Sequence, residues 1–277
     1  MLTGMAIDEA LAGHLAGLPP VEVLYTDLDG TLLGPDGSLL SAPDGRPSAR
    51  AAQALVDAAA AGVLVVPVSG RASAQLGNDA RLIGLSDYVA EAGGIVVRAG
   101  QTYYEWGACP RDLADNPHDA MTEAGAVEAL LTAFAGDLRH YEPWHRGREG
   151  GHLLHGMVDV DKAAAVLSEA GCDWAYLVDN GATSGWPGRQ VRAYHLLPRG
   201  VGKATAVADD LAARGLAPDQ AAACGDSLED LKIAQVVATF LLVANGHGDI
   251  GERIFRVPGA MGEGFADAVE ALLTTLR

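Results

Sequence analysis

Two spacings of apolar residues alternate along the chain from about residue 21 onward. "VEVLYTDL" (21–28) predicts a strand, and "VLVVPVSG" (63–70) is a continuous apolar run, the mark of a strand buried on both faces. Between them, "SARAAQALVDAAAAG" (48–62) has helical spacing, with Ser48 placed to cap it and Gly62 to stop it. "ASAQLGNDARLIG" (72–84) predicts another helix and "YVAEAGG" (88–94) another strand. Strand, helix, strand, helix, strand predicts a parallel sheet with right-handed crossovers. Ahead of it, residues 1–20 predict a short amphipathic helix ended by Pro19-Pro20.

The pattern then changes. "IVVRAGQTYYEW" (95–106) reads as a hairpin around Ala99-Gly100, and a Pro- and Asp-rich loop leads to a helix at about 120–136. "GHLLHGMVDV" (151–160), "WAYLVDNG" (174–181) and "QVRAYHLLP" (190–198) are strand-like, with a helix over 161–170. After Gly200 the first pattern resumes: a helix at about 203–214, a buried strand at "AAACGD" (221–226), and a helix at "SLEDLKIAQVV" (227–237). Strands at "ATFLLVAN" (238–245) and "RIFRVP" (253–258) and a closing helix at "GFADAVEALLTTL" (264–276) end it. The expected architecture is therefore α/β: a Rossmann-like parallel-sheet core from 1–94 and 197–277, with an α+β cap domain, 95–196, inserted in it.

Composition narrows the function. Of 277 residues, 49% are apolar, enough for a sizeable core. The net charge of −17 argues against nucleic acid and anionic membranes as partners, because phosphate backbones would be repelled. It leaves room for a small anionic substrate, provided local cations line the pocket. Cys109, Cys172 and Cys224 are far apart and odd in number, so buried reduced thiols are expected. The N-terminal stretch lacks the basic-then-apolar order of a secretory leader, and no apolar run reaches a membrane-spanning length. A soluble cytoplasmic protein, monomer or homodimer, is the expectation.

Candidate chemistry collects at strand ends, where open parallel sheets bind ligands. Asp27 and Asp29 close the first strand and, two apart, begin on one side of it. "PVSGR" closes the second with Ser69, Gly70 and Arg71. "CGDSLED" closes a later one with Asp226, followed by Asp230 one helical turn on. Lys203, in "GVGKATAV", opens a helix after the insertion. Singly, each has an ordinary reading: Asp-Gly forms turns, Ser69 and Asp226–Ser227 cap helices, and Lys203 lies on a surface. Four such stretches at one sheet edge point to a common site.

These residues resemble the motifs of the haloacid-dehalogenase superfamily of phosphotransferases. "DLDGT" is similar to its first motif, "VSGR" to its second, Lys203 to its third and "GDSLED" to its fourth, in matching order and spacing. The insertion between the second and third resembles the sugar-phosphatase branch, which holds the Cof-type hydrolases, sucrose phosphatase and mannosyl-3-phosphoglycerate phosphatase. The resemblance implies a phosphatase acting on a sugar phosphate or related small phosphorylated metabolite. Asp27 would be the nucleophile that forms an aspartyl-phosphate, and Asp29 the general acid and then base. Mg²⁺ would be held by the Asp27 carboxylate, the Asp29 carbonyl and Asp226, with Asp230 a further ligand or a support for the others. Ser69, the Gly70 amide and Lys203 would hold the phosphate oxygens, and Thr31, grouped with these phosphate-binding residues, would complete the first loop and orient Asp27 or Asp29. Arg71, Arg192 and His195 are candidate substrate contacts, the last two from "RAYH", which is similar to an Arg-x-x-His stretch of the mannosyl-3-phosphoglycerate phosphatases. One departure is Glu229, where many relatives carry Asn: an ionised carboxylate cannot donate to phosphate. A phosphohexomutase using the same aspartates is the main alternative. A phospho-accepting signalling module or a non-catalytic binding protein is the other.

Overall fold

The computed structural model describes residues 9–183 and 185–274. In chain order they form α1 (Glu9–Leu15), β1 (Val23–Thr26), α2 (Arg50–Ala60), β2 (Leu64–Pro67), α3 (Ser73–Leu82), β3 (Tyr88–Ala90), β4 (Ile95–Arg98) and β5 (Gln101–Tyr104). Then come α4 (Pro117–Glu123), α5 (Ala126–Ala133), β6 (Leu138–His140), β7 (His152–Gly156), α6 (Val160–Glu169), β8 (Ala175–Thr183) and β9 (Val191–Pro198). The last are α7 (Lys203–Arg214), β10 (Ala221–Gly225), α8 (Leu228–Leu231), β11 (Thr239–Leu242), β12 (Ile254–Arg256) and α9 (Met261–Thr274). The first eight residues of the predicted N-terminal helix, and 275–276 of the closing one, lie outside the described residues. Among the described residues, no helix is long and apolar enough to cross a membrane.

Two compact units emerge. The first runs to Ser69, takes in Ile83–Asp87 and resumes at Val207. Its five strands are all parallel, in the order β12-β11-β10-β1-β2. Every residue of β1 is buried, as are those of β10 and β11, which is why these strands read as continuous apolar runs. Register sets Thr26 beside Cys224 on one side and Pro67 on the other, so three strands end level with one another. α2 packs against α9, where Arg50 donates to Glu263, Asp267 and Glu270. Ser48 is not the cap of α2: Ala49 holds that position, and the Ser48 hydroxyl instead donates to Glu263 and accepts the Arg50 amide. Gly62, at φ 80°, ends the helix as expected.

The second unit comprises Gly70–Leu82 and Tyr88–Ala206. Its four-stranded antiparallel sheet has the order β6-β7-β9-β8. Met121, Leu130, Leu154, Leu167, Tyr194 and Leu196 form the core on one face of this sheet, and Leu197 packs with Ala92 and Val201 on the other. β9 is thus buried on both sides. The hairpin at Ala99-Gly100 is present, both residues having positive φ (50° and 75°), as its two-residue turn requires.

Three expectations are corrected. Tyr88–Ala90 does not extend the parallel sheet but pairs antiparallel with β4, in a separate sheet β3-β4-β5. The chain reverses through Glu91, Ala92 and Gly93, all at positive φ. The helix expected over 120–136 is two helices, broken by Gly125 at φ 77°. That over 227–237 is four α-helical residues followed by a 3-10 turn. Cys109, Cys172 and Cys224 are buried and free, as expected.

Candidate active site

The first unit's sheet ends at a tight loop. β1 stops at Thr26, and the Asp27 amide still donates to the Cys224 carbonyl at 2.9 Å, which aligns Asp27 with the end of β10. The Leu32 amide then donates back to the Asp27 carbonyl and the Leu33 amide to that of Leu28 (2.8 Å). Gly30, at φ 92°, makes the turn possible. Because the strand has already ended, side-chain alternation does not carry through Asp29. Asp27 is buried, 8% exposed, while Asp29 is exposed to solvent.

β10 delivers Asp226 beside this loop. The Thr31 hydroxyl, fully buried, donates to Asp226 Oδ1 at 3.1 Å. A Cβ on Gly30 would stand 2.8 Å from Asp226 Oδ2, so the loop backbone lies directly against the carboxylate. Asp230, 1% exposed, turns back onto the same corner: its Oδ2 accepts the Ser227 hydroxyl (2.6 Å), the Ser227 amide (3.0 Å) and the Asp226 amide (3.3 Å). That capping arrangement is what starts α8 and fixes where Asp226 points.

The result is a carboxylate triad. Asp27, Asp226 and Asp230 each offer an oxygen, and the three lie within 4.8 Å of one another. Three like charges this close, two of them buried, are costly without a cation. The donors are all hard oxygens, the set that suits Mg²⁺, Ca²⁺ or Mn²⁺ rather than zinc or copper. The glycine-lined approach at Gly30 leaves Asp226 no bulky neighbour there. These residues fit a hard divalent cation.

Ser69 lies in this same unit, buried, two residues beyond the end of β2. Gly70, Arg71, Arg192, His195 and Lys203 belong to the second unit. Arg71 is ion-paired with Asp79 at 2.6 Å, and Arg192 with Asp179 at 2.5 Å across the β8–β9 pair. His195 is buried, and burial together with the nearby Arg148 and Lys203 charges holds it neutral, well below the ordinary histidine range. Lys203 is the first residue of α7 and is buried. Glu229 accepts Lys232 Nζ at 2.6 Å, one turn along the chain.

One supporting residue escapes a motif-based reading. Asn245, after β11, donates Nδ2 to the Gly30 carbonyl at 2.9 Å and accepts the Met261 amide at 2.7 Å. It ties the Asp27 loop to the start of α9. The only signal in the sequence is its place just past a buried strand that belongs to the same edge.

Comparison of the chain with family models and with curated proteins returns no match. Solved structures do match over nearly its whole length. A Thermoplasma acidophilum protein is 20% identical with a TM-score of 0.66, covering 92% of this chain and 99% of its own. The sucrose-phosphatase of Synechocystis sp. PCC6803, solved with sucrose and phosphate, is 16% identical with a TM-score of 0.61, covering 92% and 98%. A haloacid dehalogenase-like hydrolase from Bacteroides thetaiotaomicron is 19% identical with a TM-score of 0.55, covering 90% and 98%. With its five-stranded parallel sheet and the added antiparallel sheets, the chain has the fold of the haloacid-dehalogenase-like phosphatases, the group its four motifs resemble.

Proposed function

We propose that this chain is a Mg²⁺-dependent phosphatase that hydrolyses a phosphate monoester of a sugar or related small metabolite. The observation that carries the reading is the convergence of Asp27, Asp226 and Asp230 at the ends of two adjacent parallel strands. The fold it shares with phosphatases and the four motifs support it.

Asp27 attacks phosphorus: its carboxylate oxygen forms the new P–O bond as the ester P–O bond breaks. Asp29, exposed and two residues on, gives its proton to the departing alkoxide. It then takes a proton from water, whose oxygen attacks the same phosphorus and releases inorganic phosphate and free Asp27. A Mg²⁺ bound at this triad would supply the positive charge that lets a carboxylate approach a phosphate anion. The Asp27 and Asp226 carboxylates and, by resemblance, the Asp29 carbonyl would hold it, with Asp230 holding the Asp226 corner or joining the ligand set. Thr31 orients Asp226 through its hydroxyl. For Ser69, the Gly70 amide and Lys203, a phosphate-holding role rests on their match to the motifs.

The test is phosphate release across a panel of sugar phosphates and phosphoglycerate glycosides, with and without Mg²⁺, using Asp27→Asn as the blank. Metal-dependent release by the wild type and none by the variant is expected. Release that survives in Asp27→Asn removes the nucleophile. Isomerisation without release, dependent on a bisphosphate primer, would make the chain a mutase instead.

A further inference from the structure

The second unit buries two opposite charges, Glu91 and Arg148, that no motif names, each bonded to backbone rather than to the other. Glu91 is fully buried, and Arg148 is 5% exposed. The Glu91 carboxylate accepts backbone amides from three places: Ser73 (3.3 Å), Glu149 (3.2 Å) and Gly150 (2.9 Å). Its own amide donates to the Arg71 carbonyl at 3.0 Å. Arg148 Nη2 donates to the Gly70 carbonyl at 2.8 Å, and its Nε to that of Trp144 at 3.0 Å. Each charge partly offsets the burial of the other.

The turn that carries Glu91 is strained. Glu91, Ala92 and Gly93 have φ of 54°, 57° and 102°, a conformation that L-residues keep only when their surroundings over-determine it. Those surroundings include the start of α7. A Cβ on Gly93 would stand 2.3 Å from the Gly202 carbonyl oxygen and 2.9 Å from the Lys203 amide. On the other side, the backbones of Gly94 and Gly150 are in direct contact. Between them Glu91 and Arg148 tie together Gly70, Ser73, Trp144 and Glu149–Gly150, and the Glu91–Gly93 turn packs on Gly202 and Lys203.

We propose that Arg148 and Glu91 are positioning residues for the phosphate-binding turn, setting the peptide that follows Gly70 and the backbone at Lys203 in fixed register. This rests on the phosphate-holding role proposed above for Gly70 and Lys203. Glycine has wide backbone freedom. A guanidinium clamped on the Gly70 carbonyl fixes the plane of the Gly70–Arg71 peptide and so restricts ψ at Gly70, the residue whose own amide is the proposed phosphate donor. His195 completes the enclosure: its Nε2 would lie 2.9 Å from any Cβ at position 70, so the turn has no room to relax into a substituted form. One Arg148 N–H, Nη1, is buried without a hydrogen-bond partner, as is His195 Nε2.

The test uses the full-length chain. Arg148→Met and Arg148→Lys are assayed with wild type for kcat, KM and inhibition by orthovanadate, at a temperature where circular dichroism shows all three folded. Lysine keeps the charge but is shorter and lacks the planar fork by which Arg148 spans the Trp144 and Gly70 carbonyls. The expected result is a fall of about 100-fold in kcat/KM, as for a misplacement of about 1 Å at a reacting group, with vanadate inhibition weakened at least tenfold in both variants. Added guanidinium should restore part of the activity of a third variant, Arg148→Ala, whose truncated side chain leaves room for it, and none of that of Arg148→Lys. If Arg148→Met does not fold, Arg148→Lys and Glu91→Gln carry the same comparison. A folded variant with wild-type kcat/KM and vanadate inhibition, or one whose loss matches its folded fraction with an unchanged vanadate constant, overturns the assignment. A wild-type chain that releases no phosphate overturns the phosphatase reading itself, and the role of Arg148 with it.

Discussion

Replacing Gly30 by alanine separates two effects that the loop combines. The first is conformational: at φ 92° an L-residue is strained, which costs about 1–2 kcal/mol. The second is a collision. The new Cβ would stand 2.8 Å from Asp226 Oδ2, where ordinary contact begins at 3.4 Å, so the carboxylate must withdraw by about 0.6 Å. Asp226 is only half-buried and has some room to swing. Thr31, however, grips its other oxygen, and Asp230 and the His247 amide hold its backbone. Mg²⁺ demands oxygens at about 2.0–2.1 Å in near-octahedral order, so a displacement of this size is not absorbed. Affinity for Mg²⁺ is expected to drop about tenfold or more, or about 1.4 kcal/mol. The strain alone lowers Tm by about 2–8 °C, at about 2–4 °C per kcal/mol. Gly45→Ala is the control: it sits at φ 80° with nothing within 4 Å of its Cβ, so it has the strain without the collision. Calorimetric Mg²⁺ titration and thermal melts of the three proteins decide the matter. Gly45→Ala should lose stability and keep its Mg²⁺ affinity, while Gly30→Ala loses both. Equal Mg²⁺ affinity in Gly30→Ala and wild type would refute the close approach of loop and carboxylate.

Other consequences are as specific. Asn245→Ala removes two backbone-holding hydrogen bonds and leaves the Met261 amide and Gly30 carbonyl to find water; phosphate release should fall at least tenfold while urea unfolding shows a loss of about 1–3 kcal/mol. Arg50→Met leaves the Asp267 carboxylate, 2% exposed, without its ion pair, and should destabilise by about 2–3 kcal/mol, less than a fully buried pair because Arg50 is 40% exposed; activity per folded molecule should not change. His152 is buried beside the His118 ring, and burial first, then that neighbour, pushes its pKa down to about 3. Below about pH 6.5 the unfolded chain takes up a proton that the native state refuses, so stability falls as pH falls, by about 2 kcal/mol at pH 5. His152→Gln should flatten the urea-unfolding difference between pH 7 and pH 5, and an unchanged slope would contradict this.

Much of the fold and of the triad is legible in the sequence for a physical reason. Strands buried on both faces must be apolar throughout, so β1, β2 and β10 stand out, and polar residues at their ends stand out against them. Asp27 and Asp226 are visible on those terms. What is hidden depends on long-range partners or on backbone signs that side chains do not announce. Nothing in "EAGG" says that a glutamate and an alanine will adopt positive φ, so β3 reads as a continuation of the parallel sheet. β6 is concealed because "LRH" opens a polar run, and the strand it pairs with, β7, lies well along the chain. Ser48 has the chemistry of a cap, but Glu263, 215 residues on, draws its hydroxyl elsewhere. Asn245, Glu91 and Arg148 act through backbone groups far away in sequence. A charged residue at the end of an apolar stretch, as in "YVAE", is the one local hint that Glu91 is not ordinary.

The most direct measurement is anomalous diffraction from crystals grown with Mn²⁺ in place of Mg²⁺. A single strong peak bounded by the carboxylates of Asp27 and Asp226, with Asp230 at or just behind it, is the result expected. Crystals whose only peaks lie away from these three aspartates, or that show none at saturating Mn²⁺, would contradict the claim that they serve one cation.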